Sequence, residues 1–233
     1  MDGMRSRHRL AGPLALAAAL AGAAARADEG DSPWSQTVDL AGGLGSNRFT
    51  GALSWNHFYG FFDQRLHVGL GARLASFFGS GAIPYTTADA SLIRANKVNT
   101  LTVTDPQAHS LNAQFLIRFR AVAGLELGFD IDLVGFAFGP SRTGSYSATD
   151  PRFAGTQPAS VSGFDLLLGG KPDRGQLDSE FYLAYWFTEK WAVRAGLSHF
   201  ARGYTTDNKL DNGADRYRAS QNLGFLAVSW RLR

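Results

Sequence analysis

Eight stretches of this chain alternate apolar and polar residues with a period of two: 34–45, 47–58, 64–78, 109–120, 125–138, 177–187, 191–204 and 219–233. Successive side chains of an extended strand point to opposite faces, so this is the strand period and not the helical one. The third stretch shows it well, with Leu66, Val68, Leu70, Ala72 and Leu74 interleaved with Arg65, His67, Gly69, Gly71 and Arg73. In a soluble sandwich the apolar set would face a core. In a membrane barrel it faces lipid, and the polar set lines the lumen. The connections and the polar face separate the two cases.

Three connections are short: 59–63, 121–124 and 188–190. Those on the other side include the long stretches 79–108 and 139–176, a shorter one at 205–218, and a tight turn near Gly45-Ser46. Short turns at one end and long loops at the other is the layout of outer-membrane barrels, with the short turns in the periplasm. Aromatic residues gather at both ends. Phe61, Phe62, Phe119, Phe187, Trp191 and Trp230 fall near the short turns; Phe49, Phe77, Phe78, Phe138, Phe200 and Tyr204 fall near the loops. Two such belts suit the two interfaces of a bilayer. Within the loops, 97–105 (KVNTLTVTD) and 161–170 (VSGFDLLLGG) read as further short strands that extend the wall. The expected fold is therefore all-β: an antiparallel up-and-down transmembrane β-barrel of eight strands, or of ten, with two long extracellular loops.

The first residues read as an address label. Arg5, Arg7, His8 and Arg9 precede the apolar run 10–21, and Ala25-Arg26-Ala27 is a small-x-small cleavage site. Residues 1–27 are expected to be a cleaved signal peptide and 28–233 the barrel domain. That segment carries Arg5, Arg7, Arg9 and Arg26 against Asp2. Removing it turns 23 Lys+Arg and 20 Asp+Glu into 19 of each. The mature chain is neutral, which leaves no basis for nucleic-acid binding. The absence of cysteine excludes disulfides, thiolate zinc sites and a cysteine nucleophile.

The alternating segments, the turn and loop asymmetry and the terminal strand 226–233 resemble the small outer-membrane β-barrel superfamily of Gram-negative type. In that family the last strand ends in an aromatic residue; here it ends Leu232-Arg233. The resemblance implies an outer-membrane location, assembly by the barrel-assembly machinery, contact with outer-membrane lipid and lipopolysaccharide, and a monomer.

The polar face gathers charges of both signs: Arg65, Arg73, Arg118, Arg120 and Arg194 with Glu126, Asp130, Asp132, Asp178 and Glu180; Arg202 lies on the same face. An eight-stranded barrel is just wide enough for side chains to fill it, and buried ions must pair. The expected result is an internal charge network that plugs the lumen. The expected function is that of a non-enzymatic outer-membrane protein with a structural, adhesion or binding role for its loops. The alternative is a narrow pore for small polar solutes.

A third reading comes from the seventh segment. If Glu189 centres its turn, Phe187 faces Trp191, Tyr185 faces Val193, Phe181 faces Leu197, and Ser179 faces His199 on the lipid side near the outer interface. The stretch His199-Phe200-Ala201 resembles the lipid A 3-O-deacylase family, which places a His and a Ser two residues apart on a lipid-facing strand. Ala201 stands at the Ser position, so only His199 carries over, and Ser179, Asp211 or Asp215 would have to complete a hydrolase site. The five His show no metal-ligand spacing, and no cofactor is expected.

Overall fold

The computed structural model describes residues 32–147, 155–170, 173–210 and 212–232. The expected signal peptide 1–27 and Asp211 lie outside them.

The described residues form thirteen strands in one antiparallel sheet. Eight are long: β1 (Trp34–Gly45), β2 (Arg48–Phe61), β3 (Leu66–Gly79), β6 (Gln107–Val122), β7 (Leu125–Phe138), β11 (Leu177–Trp186), β12 (Trp191–Thr205) and β13 (Arg216–Arg231). Each pairs with the next, and β13 returns to pair with β1, so these eight close a ring. Closure leaves no unpaired edge along the wall.

The remaining strands are short: β4 (Ala82–Thr87), β5 (Thr100–Thr104), β8 (Arg142–Ser147), β9 (Gly155–Val161) and β10 (Phe164–Leu166). Strand β10 lies against the upper end of β7. The other four run β4–β5–β8–β9, joined at one end to β13 and at the other to β12. Because β12 and β13 also pair with each other, these six strands close a second, smaller ring above the first. The extra strand expected at 97–105 thus appears as β5 of this cap, and the one expected at 161–170 as β10, which lies against β7 instead. A single-turn helix, α1 (Ala90–Arg94), lies in the β4–β5 connection and is N-capped by Asp89.

The two rings have opposite polarity. The outside of the large ring is apolar: Leu40, Leu70 and Leu226 are 65%, 63% and 70% exposed. Its inside holds Asp39, Asn56, Arg73, Asn112, Gln114, Arg118, Asp130 and Arg194, all buried. The cap instead encloses Ile83, Tyr85, Leu101, Val103, Tyr146, Tyr204, Leu210 and Tyr217. Phe77, Phe200 and Leu223 form the floor of this core.

Aromatic rings girdle the large ring at both ends. At the short-turn end Trp191 stacks on Trp230 with centroids 5.9 Å apart, and Trp34 meets Tyr59 at 4.9 Å. At the other end Phe49, Phe78, His109 and Phe138 follow one another across four strands. Three members expected in this upper belt, Phe77, Phe200 and Tyr204, are buried in the cap core instead. Their height in the strand is right and their face is wrong. Each lies at an inward position, in step with Arg73, Ser198 and Arg202.

Candidate functional site

The large ring's interior is built from the inward positions of its strands. Asp39 comes from β1, Arg73 from β3, Arg118 from β6, Asp130 and Asp132 from β7, Asp178 and Glu180 from β11, and Arg194 and Arg202 from β12, with Asn56 from β2. Arg194 is the hub. It bridges Asp39, Asp130 (2.7 Å) and Glu180 (2.9 Å) at once. Arg73 contacts Asp132 (3.3 Å), Glu180 (3.2 Å) and Asp130 (3.8 Å). Arg118 meets Asp39 at 3.2 Å, and Arg202 meets Asp178 at 2.6 Å.

Neutral groups complete the lattice. The Tyr182 hydroxyl donates to Asp130 and accepts from the Arg118 Nε, each at 3.0 Å. The Arg194 guanidinium lies 3.6 Å from the centre of the same phenol ring. Gly128 makes this possible, because a Cβ there would sit 2.1 Å from that ring. Asn56 donates to Asp39 at 2.8 Å, and Gln114 donates to Asn56 at 2.6 Å. Where the network meets the cap, the Arg202 guanidinium lies over Phe77 and Phe200 at 5.3 and 4.9 Å. Most of these ions are therefore held by more than one partner, the condition under which buried charges are tolerated.

Of the charges expected in the network, Arg73, Arg118, Asp130, Asp132, Asp178, Glu180 and Arg194 meet in it. Glu126 is buried lower down, near His67 and Arg231 around a small recess at the short-turn mouth, with Arg120 opposite it and half-buried. Arg65 is a correction. It is exposed in the β2–β3 turn, because β3 begins at Leu66 and not at residue 64. Asp39, Tyr182, Asn112 and Asp165 also belong to the interior. The inward parity of Asp39 and Tyr182 was visible in the alternation. Asp165 had no such signal, because it sits in the three-residue strand β10.

Asp165 lies in the connection between β7 and β11. It accepts a hydrogen bond from the Gln176 backbone N–H at 2.7 Å, and its other carboxylate oxygen receives none. Burial pushes its carboxyl up to about 7, against the lowering effect of that hydrogen bond.

On the outer face the register around Glu189 holds. Tyr185 pairs with Val193, Phe181 with Leu197, and Ser179 with His199. His199 is exposed, and its Nδ1 lies 2.7 Å from the Asn222 side-chain oxygen on β13.

No protein-family model matches this sequence, and no curated protein does. Among solved structures, the chain is similar to Ail, the attachment invasion locus protein of Yersinia pestis, at 11% identity over 85% of this chain and 97% of that one, with a TM-score of 0.36. Neisserial surface protein A is 13% identical over 86% and 98%, at 0.37. A major outer membrane protein of Thermus thermophilus is 15% identical over 85% and 99%, at 0.39. The fold itself stands on the strand pairings above.

Proposed function

We propose that this chain is a non-enzymatic outer-membrane barrel with a plugged lumen, which carries a rigid external cap as its binding or adhesive surface. The observation that carries this reading is the inversion of polarity. The large ring turns large apolar side chains outward and locks its charges inside, as a bilayer-spanning barrel must. The two aromatic girdles support the same orientation in lipid. Short turns at one end support a periplasmic position for that end, and the N-terminal pattern supports export.

Three guanidiniums, Arg73, Arg118 and Arg194, reach across the lumen to carboxylates on non-adjacent strands, and Arg202 pairs with Asp178 on the neighbouring β11. A solute would have to break several buried ion pairs to pass. The full-length mature chain, refolded and reconstituted in planar bilayers, is expected to give no unitary conductance; reproducible current steps would overturn the plug. A hydrolase is disfavoured on the outer face. Ala201 stands where the nucleophile would be, and His199 meets the side-chain oxygen of Asn222.

A further inference from the structure

One cleft lies outside the barrel lumen and outside the cap core. It opens between the outer face of the β12–β13 pair and the segments 162–164 and 173–175, with a volume of about 180 Å³. Three guanidinium side chains line it: Arg174, Arg216 and Arg218.

Arg174 is fixed by a backbone bridge to Leu166, is exposed, and has no carboxylate partner among the described residues. Arg216 is loosely paired with Asp89 at 3.5 Å, both partly exposed. Arg218 donates to the Gly170 carbonyl at 2.9 Å and meets Asp173 at 3.4 Å. The floor is Gly203, covered by Ser162 and the Gly175 carbonyl, which line the cleft with it. The rim is Phe164, 45% exposed and packed edge-on against Phe136 of the lipid-facing surface at 6.1 Å.

Height decides what such a cleft meets. Trp230, Val228 and Leu226 are the outward apolar residues of β13, followed outward by Gly224, Asn222, Ser220, Arg218 and Arg216. A lipid-facing band of about 25 Å, counted from Trp230 at about 3.3 Å per residue and about 40° of tilt, ends roughly ten residues on, near Ser220. Arg218 and Arg216 stand just beyond that limit, at headgroup level, while Phe164 and Phe136 mark the edge of the hydrocarbon.

We infer that this cleft binds the phosphate-bearing headgroup of an outer-leaflet amphiphile, with Arg174 and Arg216 on the phosphate and Phe164 against the start of the acyl chain. Planar guanidiniums that present paired N–H donors match phosphate oxygens, and an aromatic rim between charge and lipid selects a ligand with both parts. The inference rests on the membrane reading above.

The test uses the full mature chain in uncharged maltoside micelles. The probes are dodecyl phosphate, dodecanol and inorganic phosphate, with binding followed by isothermal titration. Saturable binding of dodecyl phosphate, absent for dodecanol, is expected. Arg174→Gln combined with Arg216→Gln should weaken it by about tenfold or more, since charge-assisted hydrogen bonds are lost. Arg174→Gln alone, at an exposed position, keeps the test readable if the double variant folds poorly. Equal affinity for inorganic phosphate would overturn the amphiphile assignment. No binding, or binding indifferent to either variant, would overturn the site. Insertion into phosphatidylcholine vesicles is measured alongside. Insertion without binding sinks this inference only, whereas failure to insert sinks the membrane reading.

Discussion

The large ring and the cap share two strands, β12 and β13, yet they are held together by opposite means. Along β12 the inward positions run Arg194, Ser198, Phe200, Arg202 and Tyr204. Arg194 and Arg202 join ion pairs, and Phe200 and Tyr204 join an apolar core. The difference follows from what lies outside. On the membrane reading proposed above, lipid is the solvent of the apolar outer surface, so burial of apolar side chains inside gains nothing extra and polar groups are sequestered in the lumen. Where the wall stands in water, the ordinary hydrophobic effect operates and the core is apolar. One wall thus passes from an inside-out protein to a conventional one within about ten residues.

Unpairing the hub tests this contrast most severely. Arg194→Met would leave Asp39, Asp130 and Glu180 short of their shared partner. It should cost about 3–5 kcal/mol, because an uncompensated buried charge remains. Urea unfolding in lipid vesicles reads this directly, and a change below about 1 kcal/mol would mean the network adds no cohesion.

Leu101→Ala, at a fully buried position of the cap, should cost about 2–5 kcal/mol. That loss is expected to be local. Protease should cut the 79–108 loop sooner while the large ring stays intact, and loss of the whole barrel at the same denaturant concentration would show that the two rings fold as one unit.

A third test concerns Asp165, where β10 joins the two regions. Its carboxyl is raised from an ordinary 3.8 to about 7, so the folded state holds this proton more tightly than the unfolded state does. This stabilisation is complete below about pH 4 and is lost as pH rises towards 7. Asp165→Asn should flatten that part of the stability–pH curve; an unchanged slope would move the titration elsewhere. The smallest effect is expected from Arg65→Ala, within about 0.5 kcal/mol, since that side chain is exposed in a turn. Paired with Arg194→Met, it contrasts a charge inside the network with one outside.

Much of the large ring was legible in the chain. The alternation places Leu66, Val68 and Leu70 outside and Arg73 inside, and a turn centred on Glu189 aligns Ser179 with His199. Both are local readings that use the period of a strand and the length of a hairpin. The charge network was legible as a set of residues but not as partners. Arg73 and Asp132 stand 59 positions apart, and only closure of the ring brings them to 3.3 Å.

The cap was hidden for a different reason. Its own strands are five to seven residues long, too short for a clear alternation, and β4 finds β13 across about 130 residues. Which face of each long strand turns outward was thus settled in the chain itself, because that choice is written into every second residue. Folding in three dimensions settled the rest: that the loops close a second ring, that Phe77, Phe200 and Tyr204 turn from girdle to core, and that Arg174, Arg216 and Arg218 come to line one cleft. Those outcomes depend on which distant segments pair, and pairing energy is gained only once the chain between them has been closed into a loop.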